Sequence, residues 1–490
     1  MESVERREFF SPRWLLLSLL IMFIAFSCKE DDPKIEEEID LSLVSDNAYV
    51  NLWIQENMET YYLWNDEIPS KPDTSLVPDA FFESLLSNED RFSWIQADYL
   101  ELLNSLQGIN KEAGYEFKLY RESSANENVI AQVMYIKEGS LIDTEGKDLM
   151  RGDKITQVNG QALTLSNYQA ALGQLSENHT ITYERYNWET EVWDDKGTLS
   201  LTTAEFAENP NFMHKVIDLP GNRKLGYYVY NFFATGPTSS SITYNNQMDA
   251  VFTEFKNAGV TDLVLDLRYN SGGAEGATIN LASLIGNNVN NTKVFTRREY
   301  NPQVQAALIK EYGNSIVIRN FENKTQNIGS LSNNRVYILT SGRTASASEL
   351  LINGLKPFMD VFLIGDVTVG KNVGSISLYE EDDERNTWGM QPIVVKSYNS
   401  LNQSEYSDGF EPNVEDLDNR LILYPLGDED EALLSLAIDH ITGGGARKGN
   451  QINNTSVEEL ATSADLKRGS YNLVIDDERL KTFPKSSLVK

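Results

Sequence analysis

Residues 335–355 read RVYILTSGRTASASELLINGL, and the architecture follows from them. Val336 to Leu339 form an apolar run of the kind that makes a buried strand. Leu350, Leu351 and Leu355 recur at helical spacing. Between them Thr344-Ala345-Ser346-Ala347-Ser348-Glu349 makes a strand-to-helix turn that carries two serines. The first turn of a helix offers unused backbone N–H groups and the positive end of the dipole, which favour an alkoxide and a nearby oxyanion. Ser346 and Glu349 also spell an S-x-x-E capping box, so the same residues suit a plain helix cap.

A second strand is expected at Val361 to Ile364, followed by Gly365-Asp366-Val367-Thr368-Val369-Gly370-Lys371. A glycine before the lysine lets the amine approach backbone and lose water. A desolvated lysine has a depressed pKa and can serve as a base.

The pair T-A-S-A-S-E and G-x-x-T-x-G-K places Lys371 25 positions after Ser346. Asp266-Leu267-Arg268-Tyr269-Asn270-Ser271-Gly272-Gly273 and Gly409-Phe410-Glu411-Pro412 complete a set of four motifs. The set resembles the C-terminal processing peptidases (tail-specific proteases), over roughly Gly114 to Gly444. The resemblance implies a multidomain α/β chain: a crotonase/ClpP-like α/β protease domain, a β-rich PDZ domain and a small N-terminal helical domain. It implies Ser346 as nucleophile, Lys371 as base and Glu349 as an acidic residue beside them. It implies an oxyanion hole from the N–H of Ala347 and that of Gly272 or Gly273, with no cofactor and no metal. Ser348 competes as nucleophile, but the offset to the lysine matches the family for Ser346. Two departures, Ser375 where the family often has glutamine and Asn372 where it often has glycine, leave the orientation of Lys371 open.

The 490 residues carry a net charge of −31, which argues against nucleic acid and against docking on anionic lipid by charge. The one cysteine, Cys28, rules out a disulfide within the chain. It ends the apolar run from Trp14 to Ser27, which is short for a spanning helix and has the length of a signal-peptide core. Ala25-Phe26-Ser27-Cys28 resembles a bacterial lipobox, with residues 1–27 as signal peptide and Cys28 as the lipidated residue. An uncleaved membrane anchor is the alternative. The acidic stretch 28–45 is expected to be an extended tether. Its Cys28-Lys29-Glu30-Asp31-Asp32 start resembles the surface-export signal of lipoproteins in Bacteroidetes-type bacteria. The protein is thus expected in the cell envelope as an outer-membrane lipoprotein, facing either the periplasm or the outside.

Ile54, Met58, Tyr61 and Tyr62 recur on one helix face, and residues 46–110 are expected to form a small helical domain. Trp53, Trp64 and Trp94 are expected in its core rather than in a sugar site. From Gly114 the period approaches two. Leu149 to Gly160 carries an L-x-x-G-D-x-I-x-x-V-N-G run that looks like a PDZ strand and tight turn, and Ser166 to Leu175 would be the groove helix. A PDZ module adds a peptide as a strand and holds its carboxylate on backbone N–H groups. By that resemblance Gly114, Tyr115, Glu116 and Phe117 would bind peptide, within a domain spanning 111–205. The protease domain is expected over 206–445, with a polar extension at 446–490 that either docks or stays mobile.

His179, His214 and His440 are the three histidines, and none follows an enzyme-like local pattern, which disfavours a Ser-His-Asp triad or a histidine-bound metal. Two functions remain open. One is a serine endopeptidase acting on unfolded or C-terminally presented polypeptides. The other is a catalytically silent peptide-binding lipoprotein of the same fold.

Overall fold

The computed structural model describes residues 44–238, 240–444, 457–466, 472–475 and 478–481. The expected signal peptide, Cys28 and nearly all of the acidic tether lie outside the described residues. Among the described residues no helix is long and apolar enough to cross a membrane.

A six-stranded sheet runs in the order Asn211–Leu219, Arg223–Tyr230, Asp262–Asp266, Arg335–Thr340, Asp360–Gly365, Val414–Glu415. Its first pair is an antiparallel hairpin and every later pair is parallel. Parallel strands need both faces covered, which is why they are continuously apolar in sequence. Leu263 and Leu265 face one core with the helices Thr243–Ala258, Glu275–Ile285 and Ala347–Leu355. Val264 between them faces the other, under the helix Ala432–Thr442. Both expected strands that frame the serine and lysine motifs are therefore adjacent members of one sheet.

A second sheet has the order Gly272–Ala274, Asn472–Val474, Val373–Ser375, Ile393–Asn399, Val294–Tyr300, Ile318–Asn320. A third is antiparallel: Glu458–Thr462, Tyr115–Arg121, Val129–Ile136, Lys154–Val158, His179–Asn187, Val192–Leu201. Its own core holds Phe117, Val133, Ile155 and Ile181. The helix expected from Ser166 to Leu175 spans only Tyr168–Leu172. Asn167 is tied into a turn by the Thr164 N–H at 2.8 Å, and Gly173 ends the helix.

At the N-terminus the helix Asp46–Tyr61 buries Val50, Ile54 and Met58 against Phe81 and Phe82. The same cluster includes Val373, Met390 and Ile393, so this region packs on the strands that follow the lysine motif. Trp53 and Trp64 lie at the border of that cluster.

Candidate active site

The strand Arg335–Thr340 ends in a turn that is fastened to the Asp266–Gly273 loop. Thr344 Oγ1 donates to the Leu267 carbonyl at 2.9 Å, and Ser348 Oγ donates to the Asn270 carbonyl at 3.1 Å. Ser348 is therefore committed to holding the loop. Ser346 is different. Its backbone sits at φ 59° and ψ −107°, and its hydroxyl is buried with no hydrogen-bond partner. A non-glycine residue in this region costs about 1–3 kcal/mol and persists only where its surroundings enforce it. A strained strand-to-helix turn is also how α/β-hydrolases present their nucleophile. The capping-box arrangement with Glu349 is present in outline, yet the serine hydroxyl closes no bond in it.

Glu349 is the hub of the site. Its Oε2 accepts the N–H of Ser346 at 2.7 Å and that of Lys371 at 2.8 Å. Its Oε1 accepts the Gly370 N–H and the Thr368 hydroxyl, each at 2.6 Å. The carboxylate is fully buried, and burial raises its pKa even though all four donors act to lower it. Thr368 Oγ1 in turn accepts the Phe410 N–H at 2.8 Å, which gives the Gly409–Pro412 motif a place in the site. A Cβ at Gly370 would lie 2.1 Å from the Ser407 carbonyl oxygen, so glycine is required before the lysine.

Lys371 is completely buried. Loss of solvent pushes its amine down to about pKa 7, against the upward pull of the Asp90 and Glu349 carboxylates. Its Nζ lies 5.0 Å from the centre of the Phe92 ring. Arg91 donates to the carbonyls of Gly370 and Ser407, each at 3.0 Å. Asp90 accepts from the Tyr62 hydroxyl and from the N–H groups of Phe92 and Ser93. Asp90, Arg91 and Phe92 thus belong to the surroundings of the lysine, a role their sequence did not disclose. The available signal was a charged pair beside an aromatic within the region 46–110.

Ala347 is the first residue of the helix, where backbone donors have no intrahelical acceptor. Gly272 and Gly273 stand at φ 116° and 137°. A Cβ on Gly273 would lie 2.0 Å from the Phe233 carbonyl oxygen. The Gly272 N–H donates to Asn270 Oδ1 at 2.9 Å, and Gly273 is paired with Leu473 on one side and Phe233 on the other. Asn372 donates to the Ser404 carbonyl at 2.8 Å. Ser375 donates to Gln391 Oε1 at 2.6 Å, so a glutamine from a neighbouring strand meets the position where the family often has its own.

Ser346, Ala347, Glu349, Lys371, Gly272 and Gly273 are thus gathered around one turn, one loop and one carboxylate. Gly114, Tyr115, Glu116 and Phe117 lie at the start of the second strand of the third sheet, inside Glu458–Thr462. One cavity nevertheless joins the two places, lined by Glu116, Lys137, Tyr269, Gly272, Gly273 and Arg343 among others. His179 bonds to the Tyr115 hydroxyl at 3.1 Å, His214 to Glu254 at 3.0 Å, and His440 packs on Phe362. None of the three is bonded to Ser346.

The family model described as peptidase family S41 matches residues 224–415, and that of the peptidase S41 N-terminal domain matches 49–94. The solved structure of a putative S41 protease from Bacteroides fragilis NCTC 9343 is similar, with 26% identity and a TM-score of 0.65. That match covers 80% of this chain and 97% of the other. The photosystem II D1 C-terminal processing protease aligns at 19% identity and a TM-score of 0.44, over 76% of this chain and 93% of that one. No curated protein matches the chain.

Proposed function

The chain belongs to peptidase family S41, and from that premise we propose that it is a serine endopeptidase using Ser346 and Lys371 on unfolded or C-terminally presented polypeptides. The observation that carries the reading is the Lys371 amine, wholly buried and brought to about pKa 7 on a backbone that shares an acceptor with Ser346.

The neutral Lys371 amine takes the Ser346 proton as Oγ attacks the peptide carbonyl. The Ala347 N–H supplies one oxyanion donor. Gly272 or Gly273 supplies the other once that strand turns an N–H toward the cleft. The lysine ammonium then protonates the departing amine. Water, activated by the same amine, hydrolyses the acyl-enzyme and restores the serine. Glu349 positions both segments and touches no reacting atom in this scheme.

We read 206–445 as a crotonase/ClpP-like protease domain, 111–205 as a PDZ domain and 46–110 as the helical domain. The separate core of the third sheet and the placement of Gly114 to Phe117 at the head of the strand that takes Glu458–Thr462 as its outer partner support the PDZ reading. We read Cys28 as a lipidation site that anchors the protein in the cell envelope, and radiolabelled palmitate incorporation lost in Cys28→Ala tests it.

The catalytic test compares degradation of a loosely folded protein by the wild-type enzyme, Ser346→Ala and Lys371→Ala. Equal behaviour of all three removes the peptidase assignment. The alternative, a catalytically silent peptide-binding lipoprotein, draws on the complete burial of Ser346 and on Ser375, and the same comparison decides it.

A further inference from the structure

We propose that the C-terminal strand Glu458–Thr462 is a releasable, cis-acting competitor that occupies the peptide edge of the third sheet in place of substrate. The inference rests on the reading of Gly114 to Phe117 as the peptide-binding loop.

The strand pairs antiparallel with Tyr115–Arg121, Glu458 opposite Arg121 and Thr462 opposite Lys118. It therefore runs toward the loop, in the direction an added peptide takes when its end is held there. Where a carboxylate would sit, Ser463 Oγ accepts the Phe117 N–H at 3.0 Å and also bonds to the Glu116 carboxylate. Leu460 and Ala461 pack on the core of the module. Ala464 lines the cavity that leads to Gly272 and Gly273.

The same extension continues to Asn472–Val474, which lies parallel between Gly272–Ala274 and Val373–Ser375. Both edges that an extended substrate would use are thus filled by this chain. The two strands are held unequally. Leu473 and Ile475 are buried in the main hydrophobic core. Glu458 and Glu459 are exposed, and the ladder is irregular between Glu459 and Ala461. The ion pairs of Lys118 with Glu459 at 3.2 Å and Arg121 with Glu458 at 4.0 Å reach solvent on their acidic side, where such pairs hold weakly. The inner strand acts as an anchor, and the outer one as a strap kept at high local concentration by its tether.

The test uses the full chain with Glu458→Lys and Glu459→Lys together, which sets like charges against Lys118 and Arg121 at exposed positions. A labelled peptide of residues 457–466 is titrated against this variant and against the wild-type strap, both carrying Ser346→Ala so that binding is separate from chemistry. The expected result is binding to the variant about tenfold tighter or more. With Ser346 intact, the variant should show a lower KM for an unfolded substrate and an unchanged kcat. Hydrogen exchange should quicken at 458–462 and stay unchanged at 129–136 and 472–474. Peptide affinity equal in both forms, or weaker in the variant while 129–136 remains protected, overturns the proposal. If neither form cuts any polypeptide, the peptidase reading fails, and the peptide titration still judges the strap.

Discussion

The main-chain N–H of Lys371 donates to Glu349 Oε2 at 2.8 Å, and the same oxygen accepts the Ser346 N–H at 2.7 Å. Glu349→Gln replaces an acceptor by a group that is half donor, leaving buried N–H groups unpaired at about 1–3 kcal/mol each. We expect a loss of about 3 kcal/mol in chemical denaturation, by that same figure, and a kcat reduced at least about a hundredfold with KM little changed.

Activity should rise with pH through about 7, where the buried Lys371 amine loses its proton. Stability follows the same sign. Between about pH 7 and the ordinary lysine range the unfolded chain binds a proton that the folded one does not, so stability rises with pH across that window. Below it the full cost of the buried charge is present. Lys371→Met should lose this slope, and unfolding free energies measured across the window check it.

Phe92→Ala should move the midpoint of the pH–activity curve upward. The ring lies 5.0 Å from Nζ, and its removal admits water that restores the lysine toward its ordinary affinity for protons. A midpoint that stays fixed would remove Phe92 from the desolvating shell.

Ser346→Ala should abolish cleavage and yet stabilise the fold by about 1 kcal/mol, because it removes a buried hydroxyl that has no partner. Denaturant midpoints of the two proteins, compared at equal slope, give the answer.

Gly273→Ala should be severely destabilising. Its Cβ would enter the Phe233 carbonyl oxygen at 2.0 Å, and φ 137° is unsuited to any L side chain. Soluble yield and thermal unfolding report the effect.

Much of this arrangement was legible in sequence. The strands around Ser346 and Lys371 announced themselves because a parallel strand buried on both faces must be apolar throughout. Tyr168–Leu172 is shorter than the groove helix that the PDZ resemblance implied over Ser166 to Leu175, because the Asn167 turn and Gly173 bound it. Other features arise only from long-range contact. Nothing local in Asp90-Arg91-Phe92 says that it will meet a lysine far along the chain. Nothing in Glu349 distinguishes a helix cap from a bracket for two segments. The extension at 446–490 has the composition of a polar tail, and the two strands among its described residues form because unfilled sheet edges were available to receive them.

The contact of Arg91 with Gly370 spans 279 residues. The segment bearing the amine and the segment that keeps water from it are therefore made at different times during synthesis. If Lys371 is the base of Ser346, a half-folded molecule would hold a solvated, charged lysine and an unactivated serine. On the proposed mechanism it would be harmless to the chains around it, its own kind included, until the last long-range contacts close.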